Sequence, residues 1–96
     1  MSQAVYKALF FGPFRVIVQL KEKEYVLDAE TPTIHDLLKK IIADYPQLKE
    51  YFFQDEQISE NTSIIINGED VRGGDGLKTI IKPEDRITFF KAAGGG

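Results

Sequence analysis

The chain has 96 residues with a formal charge of −3, 43% hydrophobic and 28% charged residues, and no cysteine. One domain of this size hides about 60–65% of the surface its unfolded chain would expose, which is enough for one core and too little for a deep lidded cavity. The lack of cysteine excludes disulfides, thiolate metal sites, iron–sulfur clusters and cysteine nucleophiles, and the acidic balance argues against a nucleic-acid binder, whose Lys and Arg would cluster on one face.

The N-terminal Met-Ser-Gln-Ala lacks a charged segment followed by an apolar one, so no signal peptide is expected. No apolar run reaches the roughly 18 residues needed to span a bilayer, so no membrane role is expected and the cytoplasm is the expected compartment. Residues 5–11 (Val-Tyr-Lys-Ala-Leu-Phe-Phe) are rich in β-formers and predict a strand. Gly12-Pro13 breaks it. Residues 16–20 read as strand or irregular, and residues 24–29 as the second strand, paired with the first.

The main helix is carried by periodicity. Ile34, Leu37, Leu38, Ile41, Ile42 and Tyr45 follow the spacing of one buried stripe. Thr33 reads as the N-cap, with Asp36 three residues on as a variant of the capping box. Pro46 stops the helix. Leu48, Tyr51 and Phe52 predict a further short helical turn against the core. Residues 54–62 are polar and read as a loop, and residues 63–66 as a short buried strand. Asn67-Gly68 is a hairpin signal, so residues 69–72 should fold back as a brief partner. Residues 73–76 (Gly-Gly-Asp-Gly) read as a flexible loop, residues 77–81 are ambiguous, and residues 86–91 form the last strand.

The order strand, strand, helix, strand, short strand, strand makes an α+β roll: a mixed sheet of about four to five strands crossed by one main helix. It is compatible with the β-grasp, the ubiquitin-like fold. Residues 1–91 form the domain and residues 92–96 a tail.

The tail ends Lys91-Ala92-Ala93-Gly94-Gly95-Gly96. A frayed terminus or a cloning remnant would account for it. The chemical alternative starts from glycine, which has no Cβ and can thread a narrow channel. Its α-carboxylate is the least hindered a chain can present. Five extended residues reach about 17 Å, enough to enter a partner's active site while the domain docks outside. Adenylation would activate the carboxylate of Gly96, and Gly95 would give the steric clearance. A sulfur donor then yields a thiocarboxylate, or an amine an isopeptide. The chain supplies the group to be activated, and docking holds it in place.

The opening strand Tyr6-Lys7-Ala8-Leu9-Phe10-Phe11 followed by Arg15, the helix start Thr33-Ile34-x-x-Leu37-Leu38, the turn Ile66-Asn67-Gly68, and Leu77-x-Thr79-x-Ile81-x-Pro83-Glu84-Asp85-Arg86-Ile87 leading through Phe89-Phe90 into the tail resemble one family in order. They are similar to the small subunit of molybdopterin synthase and, more distantly, to the thiamine-pathway sulfur carrier. Residues 16–23, Pro83-Glu84-Asp85 and the third glycine, Gly94, depart from that pattern. The resemblance implies a β-grasp sulfur carrier that is not an enzyme by itself. It implies a ubiquitin-activating-type adenylating enzyme that uses ATP and Mg, a sulfur donor protein, and the large subunit of molybdopterin synthase as partners, with no cofactor bound. Related carriers serve tungsten cofactor or thiamine synthesis, tRNA thiolation or protein tagging. A plain β-grasp binding module is the remaining alternative.

Strand alternation gives the candidate docking residues. If Phe10 and Phe89 pack under the helix, then Leu9, Phe11, Ile65 and Phe90 lie together on the open face, with Lys91 and Arg86 at the rim. Such a patch at the root of the tail is a partner site. His35 reads as a solvated helix-start residue. Asp55, Glu56 and Glu60 lack the spacing of a calcium loop, and no metal site is expected.

Overall fold

The computed structural model describes residues 3–91. Strand β1 (Gln3–Phe10) and strand β2 (Glu22–Asp28) are antiparallel neighbours. Between them lies a short helix, α1 (Pro13–Val18). The reading of residues 16–20 as strand or irregular is corrected here for residues 16–18, which are helical, while Gln19 and Leu20 are irregular. Pro13 sits in the first turn with its φ preset for helix, and Phe14 and Val18, one helical turn apart, are both buried. The β-branched run was outvoted by that spacing. Gly12 enters α1 at φ 58, a backbone region that glycine takes without strain.

Helix α2 (Ile34–Asp44) starts at Thr33, whose hydroxyl accepts from the Asp36 N–H while the Asp36 carboxylate accepts from the Thr33 N–H at 2.9 Å. Ile34, Leu37, Leu38 and Ile41 are buried, with Ile42 and Tyr45 packed at the margin. Pro46–Leu48 is a 3-10 turn that leads into the one-turn helix α3 (Lys49–Phe52). The expected loop over residues 54–62 contains a small hairpin, β3 (Phe53–Gln54) with β4 (Gln57–Ile58). Its turn uses Asp55 and Glu56 at φ 52 and 66, without the glycine that usually signals such a turn.

Strand β5 (Thr62–Ile66) turns at Asn67-Gly68, with φ 52 and 90, into β6 (Glu69–Asp70). Residues 73–76 join two 3-10 turns, Val71–Gly73 and Gly76–Lys78, and are thus more regular than the expected loop. Strand β7 (Arg86–Lys91) closes the sheet.

The sheet order is β2-β1-β7-β5-β6, with β7 parallel to β1 and antiparallel to β5. This is a mixed, α+β, ubiquitin-like arrangement with α2 packed on one sheet face. The buried residues of that face are Tyr6, Ala8 and Phe10 from β1, Tyr25 and Leu27 from β2, Ile64 from β5, and Ile87 and Phe89 from β7. Ring contacts run from Phe10 to Phe89 at 5.7 Å, Phe89 to Phe52 at 5.4 Å, and Phe52 to Phe14 at 5.2 Å. This aromatic string ties the end of β7 to α1 and α3. The burial of whole aromatic side chains makes it a large share of the core energy. Among the described residues, no helix is long and apolar enough to cross a membrane.

Candidate functional site

The middle strand β7 determines where the tail begins. Its last residue, Lys91, lies opposite Thr62, and Phe90 lies opposite Ser63. The N–H of Phe11, one residue past the end of β1, donates to the carbonyl of Phe89 at 3.0 Å. β7 is therefore held on both sides as far as Phe89, and by β5 alone through Lys91. The tail itself, residues 92–96 with Gly95 and Gly96, lies outside the described residues.

The open face follows from the registers. Leu9 is opposite Thr88, and Thr88 is opposite Ile65, so the three form one row across β1, β7 and β5. Phe90 stands two residues beyond Thr88 on the same face, and Phe11 two beyond Leu9. Leu9, Ile65, Thr88 and Phe90 are half-buried, and Phe11 is exposed. The structure thus brings together Leu9, Phe11, Ile65 and Phe90, as alternation predicted.

Lys91 is not brought into this group. Its parity matches Ile87 and Phe89, on the face that carries α2. It lines a concavity of about 300 Å³ on that side, with Glu50, Tyr51, Asn61 and Thr62. The Thr62 hydroxyl donates to the Tyr51 carbonyl, and Phe14 meets Tyr51 edge-on at 5.7 Å, which fixes the wall of that concavity. Arg86 does lie on the open face, beside Lys7 in the register.

Two neighbours, Arg15 and Thr88, were not among the expected docking residues. The guanidinium of Arg15 stands 4.9 Å from the centre of the Phe11 ring, and its Nε donates to the Phe10 carbonyl at 3.0 Å. A cation over an aromatic face is attracted by the ring quadrupole, so Arg15 holds Phe11 in place and adds charge to the patch margin. Thr88 occupies the middle of the row. The signal for Thr88 was present in the same alternation that selected Phe90. The signal for Arg15 was hidden by the unread helix α1.

His35 is exposed and meets Phe53 edge-on, at 6.0 Å between ring centres. Among the described residues, no group of three or more His, Asp or Glu side chains is placed to hold a metal ion.

A family model described as the ThiS family matches residues 8–96. Small archaeal modifier protein 3 of Haloferax volcanii is 28% identical over 87 residues, covering 91% of this chain and 94% of that protein. A Haloferax volcanii protein solved in solution shares the fold with a TM-score of 0.84 and 26% identity, over 98% of this chain and 88% of the other. A Pyrococcus furiosus protein assigned as molybdopterin converting factor subunit 1 superposes with a TM-score of 0.75 at 24% identity, over 94% of this chain and 99% of its own.

Proposed function

This chain belongs to the ThiS family, and we propose that it is a sulfur carrier whose working group is the carboxylate of Gly96. The observation that carries the reading is positional. β7 is flanked on both sides, and its Thr88 and Phe90 share the open face with Leu9 and Ile65. A partner seated on that face also meets the end of β7, after which residues 92–96 follow in the sequence. The family match over residues 8–96 includes Gly95 and Gly96.

The chemistry belongs to the partners. In a ubiquitin-activating-type adenylating enzyme, a Gly96 carboxylate oxygen attacks the α-phosphorus of Mg-bound ATP, and pyrophosphate leaves. The acyl adenylate then has a good leaving group. The outer sulfur of a donor protein's persulfide attacks the acyl carbon and AMP departs, leaving an acyl disulfide. A thiol then attacks the donor-side sulfur, the S–S bond breaks, and the thiocarboxylate is released as the donor sulfur passes into a new disulfide. This chain contributes docking, reach and an unhindered carbonyl, which convert an encounter into a positioned reaction. The acceptor we favour is the large subunit of a molybdopterin synthase, with this chain as the small subunit, in keeping with the likeness to the Pyrococcus furiosus protein. The likeness to a small archaeal modifier protein supports a second reading, in which the activated carboxyl is joined to a lysine amine.

Intact mass separates the readings. With the adenylating enzyme, ATP, Mg and a sulfur donor, the chain should gain about 16 Da as sulfur replaces oxygen at the acyl carbon. Adducts on lysines of other proteins instead indicate a modifier. No change with any adenylating partner overturns both and leaves a plain binding module. Phe90→Asp should slow adenylation at least about tenfold while its melting curve stays two-state, because it places a charge on a face that must lose water on docking.

A further inference from the structure

The outer edge of β2 has no partner strand among the described residues, because β2 is the last strand in the order β2-β1-β7-β5-β6. The opposite edge is a strand of 2 residues, whereas β2 has 7. The register shows which backbone groups are unused. Phe10 N–H donates to the Lys21 carbonyl at 2.8 Å. That pair continues the register that sets Ala8 against Lys23 and Tyr6 against Tyr25. In an antiparallel ladder, hydrogen-bonded pairs alternate with non-bonded ones. Lys23, Tyr25 and Leu27 therefore turn their N–H and C=O groups toward β1. Glu22, Glu24, Val26 and Asp28 turn theirs outward, ready for another strand.

The side chains of those same residues stand on the open face and are exposed. Glu22 has Lys7 at 3.8 Å, while neither Glu24 nor Asp28 forms an ion pair among the described residues. Val26 is 49% exposed and lies directly across from Val5, 44% exposed. On the other side of β2, a concavity of about 290 Å³ opens against α2, lined by residues that include Leu27, Ala29, Ala43, Lys39 and Lys40.

We propose that the β2 edge takes an extended, basic segment of a partner protein as an added strand. Charge selects this occupant. A second copy pairing antiparallel through β2 would set Glu22 against Asp28, and like charges directly opposite are destabilising. Edge charges of this kind keep sheets from pairing with themselves. Lys or Arg at the facing positions turns the same ladder into attraction. The alternate side chains of the added strand point toward α2, where the concavity accepts a small apolar group and sets the register. The β2 edge is separated from β7 by β1, so its use is independent of the chemistry at Gly96.

The test uses the whole chain and a short, acetylated peptide that alternates Lys with Val. Amide NMR should show shifts across Glu22–Asp28, with hydrogen exchange slowed at Glu24 and Val26 and unchanged at Lys23 and Tyr25. Val26→Pro removes one outward donor and leaves the β1 ladder whole, and it should weaken binding at least about tenfold. Should that variant fail to fold, Glu22→Lys with Glu24→Lys decides the matter, with an expected loss of about tenfold. The chain lacking Gly95 and Gly96 should bind the peptide as well as the full chain does, whatever the outcome of the sulfur-transfer test. Absence of binding overturns the proposal. So do shifts centred on Leu9, Ile65 and Phe90, or self-association through β2.

Discussion

Phe89 and Phe90 are neighbours of the same chemistry, and the strand pleat sends them to opposite sides of the sheet. Phe89 is fully buried between Phe10 and Phe52. Phe89→Ala should cost about 3–5 kcal/mol in urea unfolding, a large part of the ~5–15 kcal/mol that a domain possesses. Phe90→Ala should cost about 1 kcal/mol or less and show its effect on docking instead. Tyr25 gives a pH signature. Burial pushes its phenol from 10.0 up to about 12, partly offset by the nearby Lys23. The folded state thus keeps a proton that the unfolded chain gives up first. That stability is complete below pH 10.0 and is lost as the pH rises toward about 12. Lys23, whose ammonium donates to Asp44 at 2.8 Å, is also held protonated above its ordinary value and adds to the same alkaline fall. Tyr25→Phe should flatten part of that fall in melts run at stepped pH. Near neutrality it should change stability by less than about 1 kcal/mol, because the buried hydroxyl has no hydrogen-bond partner among the described residues.

At the scale of elements, α2 and α1 differ in how they declare themselves. α2 has a long stripe and a reciprocal cap, and both signals are local. α1 has 6 residues and only two buried ones, so its period is too short to stand out from a run of Val and Ile. It ends at Gln19 with φ 64 and ψ 24, the left-handed conformation that costs a residue with a Cβ roughly 1–2 kcal/mol. Gln19→Gly should raise the unfolding free energy by up to about 1 kcal/mol, after the added chain entropy is set against the relieved strain. The β3–β4 hairpin was hidden for a related reason. Its turn residues, Asp55 and Glu56, are polar but carry none of the glycine that announces a tight turn. Asn67 shows the opposite case. Its amide donates to the Asp85 carboxylate at 2.9 Å, and its carbonyl oxygen accepts from the Arg86 N–H at 2.9 Å. One residue both makes the turn and anchors the start of β7.

For the whole molecule, the fold ends its described part at Lys91, with every core side chain already placed. Deleting Gly95 and Gly96 should therefore leave the melting midpoint unchanged within a degree or so while abolishing the mass gain, a separation that intact mass and calorimetry on the same sample would check. Much of the site was legible beforehand. A strand's side chains alternate whatever the strand pairs with, so Leu9 with Phe11, and Phe90 apart from Phe89, could be read from the chain alone. The same rule, applied to Lys91, would have put it on the helix side with Phe89 rather than at the rim. The period of α2 and its cap were equally local. What only the tertiary structure decided was the order of strands. The parallel pairing of β7 with β1, and β5 on its other side, set Leu9, Thr88 and Ile65 in one row and left the β2 edge open. Alternation arises within a few bonds of backbone, whereas strand order is chosen by distant residues packing into one core, and no short window of sequence contains both partners.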